Sequence, residues 1–463
     1  MSNDPVEAAI ARMRTASQSD DAIANFVSAL ERVCGGAETM IPTSSLEPAP
    51  EMPALDELPD LDDSAAAAAL RDVAVIKLNG GLATSMGLRQ PKSLLEAREG
   101  RTFLQIIVEQ ILAARARHRV RLPLILMNSL ATRAPSLAAI AGWPELASDG
   151  LEPDFLQSMV PKLDAQTLLP ARWPAAPSLE WNPAGHGDVY ASLRGSGMLS
   201  QLLERGFRYA MISNADNLGA TPDPRIAAHV AASQIPFLME AVIGTESDRK
   251  GGHIARRRED GRLVLRETAQ TPNEDADSFT DFRRWRYYNT NSLWVDLAAL
   301  EQRLSNGSGL QLPVIVNHKT VDPRDKTSTP VVQLESAMGA AIGRFAGAQV
   351  VVVPRTRFLP VKTTDDLLLL RSDVYALDPG WRVLPLPERV GRLPFVSLDK
   401  RHFAMIDEFE RRIPSPPSLR QAERLVVAGD VWFGAGVVIR GNVELNVPGD
   451  ARLTLAPGDV LEA

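Results

Sequence analysis

VAVIKLNGGLATSMGLRQPKS, residues 73–93, is the stretch that decides the fold. It opens with a continuous apolar run rich in β-branched residues, which is typical of a strand buried on both faces of a sheet. The run ends at Asn79-Gly80-Gly81, where the missing Cβ atoms let backbone N–H groups approach a phosphate or a base. A long loop then leads to Pro91-Lys92-Ser93, and a loop of that length inside a compact domain favours a functional role.

Further apolar runs predict an α/β fold around this strand. They are LPLILM (122–127), YAMIS (209–213), PFLMEAVI (236–243) and QVVVVP (349–354). Helical patterns lie between the first three runs. Thr102 and Gln105 predict a capping box at the start of a helix before 122–127, and a second helix is expected over 189–206, before 209–213. Alternating strands and helices imply crossover connections and a mixed, mostly parallel sheet.

The two ends of the chain have different patterns. Residues 4–34 predict one or two amphipathic helices, and the Pro-rich, acidic stretch that follows, to about residue 63, has the composition of a linker. Beyond residue 385, branched apolar residues recur every six positions: Leu425, Val431, Val437 and Val443, with a second row at Val427, Phe433, Ile439 and Leu445. This period indicates a parallel β-helix, and an ordinary β-meander is the alternative because few hexads are present.

Composition excludes several classes of protein. The chain has 463 residues, 45% of them hydrophobic, with 57 acidic and 50 basic residues, which argues against a nucleic-acid partner. The single Cys34 excludes an internal disulfide framework and fits a reducing compartment. Neither a secretory signal pattern nor an apolar run of membrane-spanning length occurs, so we expect a cytoplasmic protein without a membrane partner.

The glycine loop does not match the common phosphate-binding motifs. Five residues separate Gly81 from Gly87, and Leu88-Arg89 stand where a Walker loop has its Lys-Ser or Lys-Thr. Lys92 nevertheless suits phosphate as a mobile point charge on the far side of the loop. A purely structural turn is the alternative.

A second candidate is SNADNLGATPDP (213–224), which follows the strand YAMIS. It places Asp216 at the carboxyl end of a parallel strand, where open α/β sheets bind their ligands. One carboxylate there can hold Mg²⁺ while water and substrate phosphates supply the other ligands. Helix capping by the Asn and Asp residues is the alternative.

Weaker signals are His186, between two glycines in NPAGHGDVY (182–190), and Lys362, just before an amphipathic helix. A structural histidine and a solvent-exposed lysine are the alternatives. No Ser-His-Asp or Cys-His spacing stands out. Two glycine turns, a strand-end aspartate and separated lysines together fit phosphoryl or nucleotidyl transfer, which needs positioning and charge neutralisation rather than a covalent nucleophile.

The motifs, taken in order, resemble the eukaryotic-type UTP–glucose-1-phosphate uridylyltransferases, also called UDP-glucose pyrophosphorylases. The resemblance runs through LNGGLATSMG…PKS, GHGDVY, SNADNLGA, KGGHI, NTNSLWV, QLESAMGAAI and RFLPVKTTDDLLLLRSDVY, over about residues 73–460. It implies a Rossmann-like nucleotidyltransferase core with a C-terminal left-handed β-helix. The implied divisions are an N-terminal helical segment and linker (1–71), a catalytic domain (72–385) and the β-helix domain (386–463).

The resemblance also implies roles for individual residues. The uridine nucleotide would be bound by Leu78, Asn79, Gly80, Gly81, Gln157 and Gly185. Glucose 1-phosphate would be bound by His186, Asn214, Gly252, Glu267, Asn289 and Asn291. Lys92 and Lys362 would brace the triphosphate as catalytic residues, and Asp216 would bind Mg²⁺. The implied reaction is transfer of UMP from UTP to glucose 1-phosphate, giving UDP-glucose and pyrophosphate.

Three positions depart from the family pattern: Ala83 replaces a glycine, Ala215 replaces a small hydroxyl residue, and His318 replaces a common proline. None removes a charge that the chemistry needs. Another sugar 1-phosphate, chiefly N-acetylglucosamine 1-phosphate, is the nearest alternative substrate, and a non-catalytic nucleotide-sugar sensor is the alternative from a different class. Self-association through the C-terminal domain stays open beside a monomer.

Overall fold

The computed structural model describes residues 4–36, 39–82, 86–88, 90–148, 150–306 and 309–463. Within these ranges, none of the helices combines the length and apolar character that crossing a membrane requires.

The helices begin where the sequence supplies caps. Thr102 and Gln105 form the predicted capping box at the start of one long helix. The helix expected over 189–206 is instead two helices, because Gly197 has a φ of 79° and interrupts the helical backbone. The described α-helices are α1 (Pro5–Thr15), α2 (Asp20–Cys34), α3 (Asp63–Leu70), α4 (Phe103–His118), α5 (Leu130–Ile140), α6 (Val189–Gly195), α7 (Met198–Glu204), α8 (Pro224–Ala232), α9 (Ala276–Phe279), α10 (Leu297–Leu304), α11 (Thr364–Arg371), α12 (Lys400–Phe403) and α13 (Ile406–Arg412).

Each of the apolar runs noted in the sequence contains a strand, which confirms those predictions. The strands are β1 (Leu46–Pro48), β2 (Val73–Asn79), β3 (Glu96–Arg98), β4 (Arg101–Thr102), β5 (Leu124–Asn128), β6 (Asp154–Leu156), β7 (Met159–Pro161), β8 (Leu163–Asp164), β9 (Trp181–Pro183), β10 (Tyr209–Asn214), β11 (Phe237–Ile243), β12 (His253–Arg257), β13 (Leu263–Arg266), β14 (Tyr287–Asp296), β15 (Ile315–Thr320), β16 (Pro330–Glu335), β17 (Gln349–Val352), β18 (Tyr375–Leu377), β19 (Val383–Pro385), β20 (Phe395–Leu398), β21 (Ser418–Ala428), β22 (Asp430–Trp432), β23 (Val438–Asn446), β24 (Arg452–Thr454) and β25 (Val460–Glu462).

A ten-stranded mixed sheet forms the centre of the molecule. Strands β10, β2, β5 and β6 are neighbours and run parallel, so their carboxyl ends meet at one edge. Strand β14 lies antiparallel between β10 and β11, and β11 pairs in parallel with β17. Apolar side chains cover both faces of β2, as its continuous apolar run predicts.

The C-terminal part is a stack of parallel strands. Strands β20, β21, β23 and β25 pair in parallel, and so do β22 and β24. Leu425 pairs with Val443, eighteen residues later, which is three hexads. Leu425, Val431, Val437 and Val443 are all buried. The β-meander alternative is wrong, since a meander would pair its strands antiparallel.

The N-terminal residues pack against the core. Met13, Phe26 and Leu30 of the two predicted helices are buried in a cluster with apolar residues of β7 and β16. The Pro-rich stretch, for which the sequence predicts no regular structure, carries the short strand β1. It forms because the buried Leu46 brings this segment against the free edge of β12.

Candidate active site

Two loops meet at the carboxyl edge of the central sheet. One follows β2 and contains Gly80 and Gly81, and the other follows β10 and contains Asp216. The strands pair up to Leu78 and Asn214, so the register itself brings the two loops side by side. This is the edge at which parallel α/β sheets bind ligands.

Lys92 connects the two loops. Its backbone N–H donates to the carbonyl of Gly81 over 3.2 Å, which folds the glycine loop back on itself. Its Nζ lies 2.6 Å from Asp216 Oδ2 and also donates to the carbonyl of Val361. Each side chain of the ion pair is about one-fifth exposed, at 19%, so both charges can be reached from solvent.

Lys362 is brought to the same place by the segment that precedes it. Asn217 Nδ2 donates to the carbonyl of Arg357, and Asn217 Oδ1 accepts from the N–H of Leu359 over 2.8 Å. The backbone N–H of Lys362 donates to Asp366 Oδ2, so this acid in the first turn of α11 caps the start of the helix. The Lys362 side chain is exposed.

Gln157 lies directly on Gly80. A Cβ atom at residue 80 would stand 2.7 Å from both Oε1 and Nε2 of Gln157, so only glycine permits this contact without a shift. The neighbouring Asn79 is buried, and its Nδ2 donates to Asn128 and Ser136. The Asn79 side chain is therefore committed to the fold, and its backbone is in register with Asn128 on the neighbouring strand β5.

The Gly185-His186 turn is held by the segment after β16. Gly185 has a φ of 83°, and a Cβ there would lie 3.0 Å from the carbonyl oxygen of Ser336. Nδ1 of His186 accepts from the N–H of Met338 over 3.1 Å. Burial lowers the pKa of His186 to about 4, so the ring is neutral at pH 7 and carries its proton on Nε2 as a hydrogen-bond donor.

A second group of predicted residues lies just before β12, just after β13 and on β14. A Cβ at Gly252 would stand 2.7 Å from the carboxylate of Glu267, and the Gly252 carbonyl accepts from the N–H of Asn289. Burial raises the pKa of Glu267, and the positive charge of Lys362 opposes that shift, which puts Lys362 within electrostatic reach.

The two asparagines of the NTN motif hold each other. Asn289 Nδ2 donates to Asn291 Oδ1 over 2.9 Å, and Asn289 Oδ1 accepts from the N–H of Asn291. A register shift between β11 and β14 leaves Thr290 and Asn291 outside the Cα pairing with β11, although the Thr290 hydroxyl donates to the Glu240 carbonyl. Asn291 adopts a left-handed φ of 55°. Asparagine tolerates that conformation better than most residues.

The structure brings most predicted residues to one edge of the sheet, in two groups. Ala83 lies outside the described residues. The N–H of Ala215 donates to the carbonyl of Leu78, so a backbone bond supports the loop at this departure from the family pattern. His318 is exposed on β15.

Sequence reasoning missed two buried charged residues beneath the site. Lys77 is 1% exposed in the middle of an apolar strand, and that position in an apolar run is the signal that could have found it. Asp188 accepts from the N–H of Ser158, the residue after Gln157, over 2.7 Å. Burial raises the pKa of Asp188 to about 6, and its place in GHGD was the available signal.

Comparison with known proteins gives the family. The model of the family described as UTP–glucose-1-phosphate uridylyltransferase matches residues 23–440. The UTP–glucose-1-phosphate uridylyltransferase of Saccharomyces cerevisiae is 40% identical over 394 residues, covering 85% of this chain and 77% of the yeast protein. The barley (Hordeum vulgare) protein of the same name is 39% identical over 428 residues, covering 92% of this chain and 86% of its own.

Solved structures agree with the sequence relatives. A mutant UDP-glucose pyrophosphorylase from Leishmania major, in complex with UDP-glucose, superposes with a TM-score of 0.92 at 41% identity, covering 99% of this chain and 98% of that one. A Trypanosoma brucei structure described as UDP-glucose phosphorylase has a TM-score of 0.91 at 41% identity, covering 99% of this chain and 98% of its own.

Proposed function

Because the chain belongs to the UTP–glucose-1-phosphate uridylyltransferase family, we propose that it transfers UMP from UTP to glucose 1-phosphate, releasing pyrophosphate and forming UDP-glucose. One observation carries this proposal beyond family membership. Lys92 and Asp216 form a solvent-accessible ion pair beside Gly80 and Gly81, at the carboxyl edge of a parallel sheet. A triphosphate needs this combination of backbone donors, a lysine and a metal-binding carboxylate.

UTP would bind at the glycine loop. Backbone groups of Leu78, Asn79, Gly80 and Gly81 would bind the nucleotide, the Gln157 carboxamide would contact the base, and the Gly185 turn would lie on the other side. The contact between Gly80 and Gln157 supports this arrangement. Lys92, which already contacts the Asp216 carboxylate, would also bind the phosphates.

Glucose 1-phosphate would bind between the two groups of residues. His186 offers an N–H donor from a neutral ring, and Asn214 is the last residue of β10. Gly252, Glu267, Asn289 and Asn291 would receive the sugar hydroxyls, which suit a carboxylate and amide groups as acceptors and donors.

A divalent metal fits the residues present. Among the described residues, no three His, Cys, Asp or Glu side chains cluster as a metal site, so an all-protein cage is not offered there. A single accessible carboxylate, Asp216, matches Mg²⁺, which takes most of its ligands from water and substrate phosphates. When bound, Mg²⁺ would neutralise phosphate charge next to Asp216.

The chemistry is a single in-line displacement. An oxygen of the sugar phosphate attacks the α-phosphorus of UTP, and the bond from that phosphorus to the pyrophosphate oxygen breaks on the opposite side. The sugar phosphate is already ionised at neutral pH, so no general base is required. Lys92 and Lys362 would stabilise the negative charge that develops on the phosphates.

A substrate panel tests the proposal directly. The intact protein is assayed with UTP and with other NTPs, each against glucose 1-phosphate, galactose 1-phosphate and N-acetylglucosamine 1-phosphate, and pyrophosphate is measured. Fastest release with UTP and glucose 1-phosphate supports the proposal. UTP binding without pyrophosphate release under every condition would identify a nucleotide-sugar sensor instead.

Several properties of the whole chain belong to the same proposal. We place the domain boundaries at residues 71 and 385. We propose that the parallel strands of the C-terminal part form a left-handed β-helix. We also place the enzyme in the cytoplasm, which the single exposed Cys34 supports. Self-association through the C-terminal domain is supported by exposed apolar side chains at the start of the outer strand β20 and in the residues before it: Phe395, Val390 and Leu393. Sedimentation of the intact chain beside Phe395→Glu tests this last point, and an unchanged monomer in both would remove it.

A further inference from the structure

A row of polar side chains crosses the buried sheet just below the site. Lys77 on β2 pairs with Ser213 on β10, Ser213 pairs with Ser292 on β14, and Ser292 pairs with Glu240 on β11. All four are at most 1% exposed. Direct cross-strand partners project from the same face of a sheet, so these four side chains form one band between apolar rows.

Lys77 fastens both ends of the loop that carries Asp216. Its Nζ lies 2.8 Å from Ser213 Oγ and 2.7 Å from the carbonyl oxygen of Ala220. These two residues bracket the turn from Asn214 to Gly219. One ammonium group therefore sets the distance between the two ends of the loop.

The far end of the row holds the segment that leads to Lys362. Glu240 accepts two hydrogen bonds from Arg357, each of 2.7 Å, and receives a third from Trp294. Arg357 also donates to the carbonyl of Thr221, next to Ala220. Hydrogen bonds from Lys77 and from Arg357 therefore hold the end of the loop after β10, at Ala220 and Thr221.

Burying a lysine is costly, which argues for a purpose beyond filling space. Burial lowers the pKa of Lys77 to about 7, with Arg357 adding to the shift and Glu240 and Asp216 opposing it. A methionine would fill similar volume in this apolar face without that cost. What methionine lacks is the set of N–H donors to Ser213 and Ala220.

We propose that Lys77 is a positioning residue for the nucleotidyl transfer, holding the loop after β10 so that Asp216 meets Lys92 and the metal-bound triphosphate in the productive geometry. This inference rests on the proposed function. It assigns Lys77 no contact with substrate. Loss of Lys77 is expected to lower kcat and weaken the response to Mg²⁺, while the binding of glucose 1-phosphate stays unchanged.

The test compares two buried lysines. Lys162 is 5% exposed and its Nζ also donates to a backbone carbonyl, that of Val321, but it belongs to neither group of site residues. Lys77→Met and Lys162→Met are purified beside the wild type, and kcat, the KM for glucose 1-phosphate, the half-saturating Mg²⁺ concentration and the thermal midpoint are measured. Both variants remove one buried ammonium group that donates to a backbone carbonyl.

The expected results separate positioning from general stability. Lys77→Met should lose about 100-fold in kcat, as a misplacement on the order of 1 Å commonly costs. It should also raise the half-saturating Mg²⁺ concentration, while the KM for glucose 1-phosphate stays near the wild-type value. Lys162→Met should show a lower thermal midpoint with kcat and the Mg²⁺ response near wild type.

Several outcomes would overturn the inference. Normal kcat and Mg²⁺ response in Lys77→Met would do so, and so would an equal loss of kcat in Lys162→Met. If Lys77→Met does not fold, Ser213→Ala decides, because it removes one of the two acceptors without stranding a charge: a lower kcat with a higher Mg²⁺ requirement supports positioning, and wild-type values refute it.

The same variants distinguish this inference from the proposed function. A wild type that releases no pyrophosphate would defeat the proposed function. Calorimetric titration with UTP in the presence of Mg²⁺ would then judge Lys77 separately. Weaker Mg²⁺-dependent binding in Lys77→Met supports the inference, and unchanged binding overturns it.

Discussion

The two groups of site residues differ in their charge and in the strands that carry them. The group that we propose binds UTP, called the nucleotide half (Gly80, Gly81, Lys92, Gln157 and Asp216), contains an ion pair and lies mainly at the ends of the parallel strands β2 and β10. The group that we propose binds the sugar, called the sugar half (Gly252, Glu267, Asn289 and Asn291), contains one partly buried carboxyl group and neutral amides. It lies at the antiparallel strands β12 and β14 and the segment after β13. Lys362 lies between them.

This difference separates rate from recognition. Charged groups that meet the phosphates stabilise charge developing in the transition state, so their loss lowers kcat. Neutral donors and acceptors that meet sugar hydroxyls bind ground state and transition state alike, so their loss mainly raises KM. Each prediction below challenges that division.

The largest effect is expected at the carboxylate of the nucleotide half. Asp216→Asn keeps the shape of the side chain but removes its charge, and kcat should fall by about 10³-fold. Pyrophosphate release measures the loss, and circular dichroism checks the fold. Asp260→Asn, in an exposed hairpin, serves as the control and should keep wild-type turnover. Near-normal turnover in Asp216→Asn would remove this residue from the mechanism.

Lys362 tests whether a residue between the halves acts on rate. Lys362→Ala should lower kcat by about 10²-fold through lost charge stabilisation, without changing the thermal midpoint because the side chain is exposed. Lys400→Ala, also exposed, is the matched control. A change confined to the KM for glucose 1-phosphate would instead assign Lys362 to the sugar half.

Two glycines allow the halves to be disturbed separately. The Cβ of Gly80→Ala would displace Gln157 and should raise the KM for UTP by about 10-fold, the scale of one lost hydrogen bond. Gly252→Ala would displace Glu267 and should raise the KM for glucose 1-phosphate similarly. Gly142→Ala, where the added Cβ meets nothing within 4 Å, should change neither constant. If either site variant raised both constants equally, the division into halves would fail.

The smallest effect concerns the support of the sugar half. His253, next to Gly252, packs between Trp285 and Phe279, and burial with nearby Arg266 and Arg284 lowers its pKa to about 3. Below about pH 6.5 the unfolded chain binds a proton there that the native protein does not, so stability should fall as the pH drops.

Urea unfolding between pH 7 and 5 checks this prediction. His253→Phe should remove up to about 1.4 kcal/mol per pH unit of the acid dependence, the contribution of one proton. His318→Phe, at an exposed strand position, serves as the control substitution. Equal slopes in wild type and His253→Phe would refute the role of His253.

The sequence predicts most of the nucleotide half because its logic is local. An apolar run predicts β2, a second run predicts β10, and parallel strands place their carboxyl ends together, so Gly80 and Asp216 are expected to be neighbours. The hexad period predicts the parallel C-terminal strands in the same way, because it is a local repeat that can be read directly from the sequence. The division of the helix at Gly197 was missed because one glycine does not always interrupt a helical pattern.

The sugar half and the polar row depend on contacts between distant segments. No local pattern indicates that β14 lies between β10 and β11, and this pairing brings Asn289 and Asn291 to the site. The orientation of Lys77 likewise follows from its partners on β10, which a single strand does not reveal. The family resemblance supplied Asn289 and Asn291, where local chemistry could not, but it did not indicate Lys77.

The irregular pairing of β14 with β11 limits how this gene can change in length. Residues Thr290 and Asn291 are two more than the opposing strand supplies, and an even number preserves the alternation of side chains on either side. Loss of one residue would turn Tyr287 and Asn289 to the opposite face of the sheet. Insertions and deletions that survive selection at this position should therefore occur in pairs.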